Sequence, residues 1–405
     1  MKSDSSKMDK KRTLIITDYC LTPNKRITRS GILFENDQIL AIGGASAFTI
    51  EPGLEVIEFK NSYAMPGLID AHIHGAGGFD SSVPDDDEKT ILDMSCVLVK
   101  HGITSYVPTI VSSPPKTMIN TVAKLSKIID KVKFGPDPVG IHLEGPFISK
   151  EKHGSQMEGC MIEEVDIGLL KELIQAGNGR IKKMTFAPEI KGAIKLIETL
   201  CEYNIQPSMG HSMALEGDTM RAIDAGARNC THLFNGMPDL HQRKISLTAI
   251  ALTDSRVTVE LILDGKHIHP RIIDMVYRCK NSCNIIGVSD ANQSAGMKDG
   301  DYHIGQSQIH VENGVSTTND GSLAGSTELI DIGWHSLMTY SHIQETDASA
   351  CTTYNPAINL GMTDRGILLP GKRADIAIFE CGTDRVLMTI ANGKKCYSAE
   401  KGCLH

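Results

Sequence analysis

A chain of 405 residues is long enough for one large domain with a smaller one beside it. With 41 Lys and Arg against 49 Asp and Glu, the net charge of −8 excludes a nucleic-acid binder held by a broadly basic face. The 11 cysteines form no C-x-x-C pair and read as reduced thiols, and no apolar run reaches membrane-spanning length, so a soluble cytoplasmic protein with no membrane partner is expected.

Residues 1–12 are polar and read as a disordered tail without a signal-peptide core. Residues 13–17 predict a strand, and 31–42 a hairpin that turns at Asn36-Asp37. Strand and helix then alternate. Residues 104–109 read as a strand, and 116–133 as a helix with Met118, Val122, Leu125 and Ile129 on one face. Residues 169–176 predict a helix closed by Gly177. A strand over 181–189, a helix over 192–203 and a helix over 213–225 ending at Gly226 follow. Then come a strand at 257–264, a helix at 271–281 and a last strand at 284–290. About eight strand–helix units predict an α/β fold, a closed (β/α)8 barrel, assigned to 64–358. Strands at 374–379 and 386–390, with a turn at Asn392-Gly393, predict one small β domain built from both chain ends, 13–63 and 359–405.

The strand ends carry a dispersed set of metal-ligating side chains, where such barrels place their chemistry. His72 and His74, two apart on a strand, point to one side and both reach one ion. Two structural histidines at a turn are the plainer reading, which the preceding Pro66-Gly-Leu-Ile-Asp70 disfavours. Glu144, in His142-Leu-Glu144-Gly-Pro-Phe147, sets a carboxylate where it binds one ion or bridges two; a turn-capping acid is the alternative. His142 shares its strand face and is expected in the same cavity. His211 and His232 each offer an imidazole after a strand. Either alone reads as a core or turn histidine; two on consecutive units are harder to dismiss. Asp290 ends the last strand, where it takes a proton from a metal-activated water and returns it, or else merely caps the next segment. Asn235, Gly236, Arg243 and His267 are candidate substrate contacts. Loop N–H groups suit an anion and a guanidinium fork suits phosphate, although singly each reads as an ordinary loop residue. The set calls for a divalent metal, zinc or iron, as one or two ions.

Ten strings together resemble the amidohydrolase superfamily, and within it the N-acetylglucosamine-6-phosphate deacetylase family. They are PGLIDAHIHG (66–75), GITSYVPT (102–109), GIHLEGPF (140–147), APE (187–189), GHS (210–212), THLFNGM (231–237), LDGKHIHP (263–270), SDA (289–291), SLAGS (322–326) and NPA (355–357). The resemblance implies a barrel with a small β-sandwich domain, a homodimer, and removal of acetate from an amino-sugar phosphate. By match, Glu144, His211 and His232 would hold the main metal, and His72 and His74 a second ion. Asp290 would be the acid/base, and also a metal neighbour. Asn235, Gly236, Arg243 and His267 would contact the phosphate end, with His142 polarising the carbonyl. The chain departs from the family in its substrate-facing loops. Gln156 stands where the family has a substrate-touching histidine, His241-Gln-Arg-Lys-Ile-Ser246 replaces His-His-Arg-x-Pro-Gly, and Asn-Gly-Met replaces Asn-Ala-Met. Deacetylation is therefore expected on N-acetylglucosamine 6-phosphate, with N-acetylgalactosamine 6-phosphate or another N-acyl compound as the alternative.

Overall fold

The computed structural model describes residues 11–84, 89–340 and 343–404. The expected tail lies outside these residues except for its last two, and Arg12 already opens a strand, Arg12–Thr22.

Eight parallel strands form the barrel: β1 (Leu68–Ile73), β2 (Ile103–Val111), β3 (Ile141–Glu144), β4 (Ile181–Phe186), β5 (Gln206–Met209), β6 (Asn229–Cys230), β7 (Thr258–Ile262) and β8 (Ile285–Val288). Each pairs with the next in order. Every residue of β2 is buried, as a parallel strand covered on both faces requires. Ile73 bridges to Ala291, and the Asp290 N–H donates to the His72 carbonyl at 2.9 Å, which brings β8 back to β1. Asp70 staples the same seam by accepting the N–H of Ser289 at 3.1 Å. Burial pushes its carboxyl up to about 7.

Helices follow the strands and cover the barrel. Pro115–Ile129 buries Met118, Val122, Leu125 and Ile129, the expected face. Ile167–Ala176 is capped by the Asp166 carboxylate on the N–H of Leu169. Gly177 stays right-handed, and Asn178 (φ 46°) takes the left-handed turn instead. The helix expected from 213 starts later, as Glu216–Ala225. The Glu189 carboxylate holds the Ser212 hydroxyl at 2.7 Å and the Met213 N–H at 2.6 Å, which keeps that segment a loop.

A three-stranded antiparallel sheet, Gly300–Ile304, Ser307–Glu312 and Val315–Thr318, is inserted between β8 and the helix Ile330–Tyr340. No element was expected there. Its second turn is Asn313-Gly314, both at positive φ, the chemistry of a tight hairpin.

The two chain ends share one sheet of nine strands, in which Ser62–Pro66 pairs antiparallel with Ile376–Glu380. Ile15, Ile32, Phe34, Ile39, Ile376 and Ile378 belong to its own apolar core. Because Ser62–Pro66 pairs within this sheet, we place the division of the two units after Pro66 rather than after 63. The Tyr63 ring lies between Tyr19 and Phe379, and its hydroxyl accepts the indole N–H of Trp334, from the helix Ile330–Tyr340, at 3.0 Å.

Candidate active site

The six residues expected at the metal site converge on one rim of the barrel. His72 lies in β1 and His74 just beyond it, Glu144 ends β3, and His211, His232 and Asp290 each sit two residues past β5, β6 and β8. The last three adopt positive φ (45°, 28° and 51°), which is uncommon for residues with a Cβ and clusters at functional sites.

Glu144 is the hub. Its Oε1 lies 3.1 Å from His211 Nε2 and 2.9 Å from His232 Nε2. Its Oε2 lies 3.5 Å from His74 Nε2, and its Oε1 3.5 Å from His72 Nε2. Asp290 Oδ1 is 3.0 Å from His74 Nε2 and 3.3 Å from His72 Nε2. The Nε2 atoms within each pair are close: 3.3 Å for His72 and His74, 3.1 Å for His211 and His232. Two nitrogens about 2.05 Å from a tetrahedral ion lie about 3.3 Å apart, so this is the spacing of ligands around a cation. Two triads result, His72–His74–Glu144 and Glu144–His211–His232, which share the carboxylate. The residues fit one ion or two.

The outer ring nitrogens support the same reading. His211 Nδ1 faces the Lys152 carbonyl at 2.6 Å, and His74 Nδ1 faces the Thr109 carbonyl at 3.3 Å. An acceptor there keeps the proton on Nδ1 and leaves the Nε2 lone pair free for a metal.

Charge in the site is negative and poised. Burial pushes Glu144 up, but His211 and His72 outweigh it and hold the carboxyl well below the usual range. Burial likewise opposes the imidazoles at Asp290, which end by lowering it to about 2. Burial disfavours a charged His74, yet Asp290 and Glu144 raise it to about 9. Without a cation, protons occupy the place a cation would take.

Residues 63–396 match the Amidohydrolase family. The chain belongs to the amidohydrolase family. An N-acetylgalactosamine-6-phosphate deacetylase of Escherichia coli O157:H7 is 31% identical over 367 residues, 90% of this chain and 96% of that protein. An N-acetylglucosamine-6-phosphate deacetylase of Bacillus subtilis (strain 168) is 31% identical over 387 residues, 94% and 96% respectively. Among solved structures, a mutant N-acetyl-D-glucosamine-6-phosphate deacetylase from Mycobacterium smegmatis, in complex with N-acetyl-D-glucosamine-6-phosphate, matches with a TM-score of 0.88 at 27% identity. That match covers 95% of this chain and 99% of the other.

In this amidohydrolase a cavity of about 330 Å³ opens over the cluster, with His74, Glu144, His211, His232 and Asp290 in its wall. Gln156, Asn235, Gly236 and His267 also line it. Gln156 is buried, and its amide is engaged: Nε2 donates to Glu144 Oε2 at 3.2 Å, and Oε1 accepts the Ser112 N–H at 2.9 Å. The Asn235 amide donates to the His232 carbonyl at 3.2 Å. Gly236 has φ 61°, and a Cβ there would sit 3.0 Å from His211 Nδ1. His267 Nδ1 donates to Asp264 Oδ2 at 2.7 Å.

Two of the expected contact residues lie outside the cavity wall. His142 does not line the cavity. It packs edge-on against His72, with Nδ1 on the Thr109 hydroxyl at 3.2 Å and Nε2 on that of Thr185 at 2.7 Å. Burial holds its imidazole well below the usual range, so it is neutral and has no nitrogen left for a carbonyl. Residues 142 and 144 do share a strand face, but 142 lies one pleat deeper in the barrel. Arg243 is exposed and outside the cavity wall. Its loop keeps the guanidinium on the surface, where it stays hydrated.

Sequence reasoning gave no role to the buried ion pair Lys183–Glu260, nor to Ile304, Ser322, Leu323 and Gly325, which wall the cavity from the inserted sheet and its exit. The signal for the pair was present: a lysine and a glutamate inside otherwise apolar strands, where such residues are rarely buried unless paired.

Proposed function

We propose that this amidohydrolase hydrolyses the acetamide of an N-acetylated amino-sugar phosphate, N-acetylglucosamine 6-phosphate first, to give the amino-sugar phosphate and acetate. One observation carries the reading: a carboxylate shared by two imidazole pairs, with Asp290 3.0 Å from His74, in the wall of a cavity. Similarity along almost the whole chain to deacetylases of this chemistry supports it.

Glu144, His211 and His232 would hold the main ion, and His72 and His74, with Glu144, a second. A divalent ion held there, zinc or iron, would supply activated water at neutral pH and a Lewis acid for the amide carbonyl. The chain's own residues do the rest. Asp290, ionised at neutral pH, accepts the proton of the attacking water and delivers it to the leaving amine nitrogen. His267, aimed by Asp264, meets the phosphate end. Asn235 and Gly236 shape the wall beside His211 and His232. Binding far from the scissile bond orients it.

The galactosamine epimer is a second reading, favoured by Gln156. Where the family places a substrate-touching histidine, this chain has an amide spent on Glu144. The E. coli and B. subtilis relatives are equally similar, and their names differ in the epimer.

The same reading makes the protein a cytoplasmic homodimer with no nucleic-acid or membrane partner. Among the described residues no two cysteines are joined in a disulfide, which supports a reducing compartment. Among the described residues, no helix is long and apolar enough to cross a membrane. The homodimer rests on the resemblance alone.

Acetate release from N-acetylglucosamine 6-phosphate, N-acetylgalactosamine 6-phosphate and their unphosphorylated forms tests the proposal. Turnover of a phosphorylated sugar well above its unphosphorylated form is expected, and the faster epimer names the substrate. No acetate from any of the four by metal-loaded protein would overturn it.

A further inference from the structure

Beneath the metal-ligand cluster, inside the barrel, lies a fully buried chain of charged groups that the mechanism above does not use. Lys183 on β4 donates to Glu260 Oε1 on β7 at 2.5 Å, and both side chains are wholly buried. Lys183 Nζ also donates to the carbonyl of Ala71, the residue before His72, at 3.0 Å. Asn229 on β6 donates to the same Glu260 oxygen at 2.8 Å. The other oxygen, Oε2, faces His72 Nδ1 at 3.5 Å, and neither atom has a hydrogen-bond partner. Strands β1, β4, β6 and β7 thus meet on one carboxylate.

A buried ion pair is weak evidence for stability, because desolvating both charges offsets their attraction, and apolar residues of similar size often serve as well. A position directly under one metal-ligating imidazole is better explained by what the carboxylate does to that ring. The outer nitrogens of His211 and His74 meet backbone carbonyls, and His232 Nδ1 has no partner. His72 is the one whose Nδ1 meets a carboxylate. A carboxylate facing Nδ1 favours the tautomer with its proton there and the Nε2 lone pair toward the rim, and the Lys183–Ala71 bond fixes the backbone that carries the ring.

We propose that Lys183 and Glu260 are positioning residues for His72, and that they govern occupancy of the His72–His74–Glu144 subsite while leaving the Glu144–His211–His232 subsite unaffected. The inference rests on the two-ion reading.

Zinc alone is the probe. Metal-stripped full-length protein is titrated calorimetrically with zinc, and bound zinc is counted by elemental analysis after dialysis. The principal variant is the double replacement Lys183→Met with Glu260→Leu, which removes both charges together and leaves no lone buried charge. Glu260→Gln is the milder partner. Wild-type protein is expected to hold two zinc ions. The double variant should melt close to wild type and hold one, with its second-ion affinity down about 10- to 100-fold. Glu260→Gln should lie between. His74→Ala should also hold one, and adding the double replacement to it should change nothing further. A merely structural pair would shift the melting temperature without removing one ion selectively. Two ions of unchanged affinity in a folded double variant, or in Glu260→Gln, would overturn the inference and leave the two-ion reading intact. A single ion in wild-type protein would overturn both.

Discussion

Asp290→Asn separates proton transfer from metal binding. Asp290 Oδ1 lies 3.0 Å from His74 Nε2 and 3.3 Å from His72 Nε2, in the wall of the cavity that the attacking water would enter. Asparagine keeps the size of the side chain and one acceptor oxygen, and it loses the ability to take a proton. A positioned general acid–base group contributes about 10²- to 10⁴-fold to rate. That corresponds to about 3–5 kcal/mol of barrel-site transition-state stabilisation. Ligation should survive, because Glu144 and four imidazoles remain. The assay is kcat for acetate release under saturating substrate, with zinc content and melting temperature measured on the same preparation. The expected result is a kcat loss in that range with zinc content unchanged. A kcat within tenfold of wild type would refute the assignment, and loss of zinc would show Asp290 to be chiefly a ligand.

Metal uptake should depend on pH. In the metal-free protein His74 keeps its proton up to about pH 9, because Asp290 and Glu144 outweigh the effect of burial, so an ion must displace that proton. Apparent zinc affinity should therefore rise with pH below about 9, by up to about tenfold per unit; calorimetry in two buffers at neutral pH should detect the released proton, and a flat profile would refute this. His267→Asn should raise KM for the phosphorylated sugar by about tenfold or more, the value of a charge-assisted hydrogen bond, and change the unphosphorylated analogue little. Equal effects on both would remove His267 from the phosphate end. Gly236→Ala puts a methyl against His211 Nδ1 at a left-handed backbone position, so it should lower the melting temperature and weaken zinc binding together. Unchanged zinc affinity would show that this loop does not support His211.

The barrel was legible because its strands are buried on both faces and so read as short apolar runs between helical periods. The ligand cluster was legible because each member sits at such a run's end, a local feature. Depth within the barrel was not local. The period of two places His142 on the face of Glu144, but it does not say that His142 lies one pleat down, among threonine hydroxyls. Nor does a sequence show where a loop carries its side chain: Arg243 looked like a phosphate fork and lies on the surface. Lys183 and Glu260 are 77 positions apart, and only barrel closure brings them under His72. The inserted strands went unread because they are short and largely polar, although Asn313-Gly314 marked the hairpin.

Metal-dependent deacetylation is tested most directly on one sample. Acetate release from N-acetylglucosamine 6-phosphate and from N-acetylgalactosamine 6-phosphate is measured before chelation, after metal removal, and after zinc or iron is returned in counted equivalents. Turnover should vanish on removal and return in step with ions bound. Undiminished turnover by metal-free protein, or none by fully reloaded protein on either sugar, would contradict it.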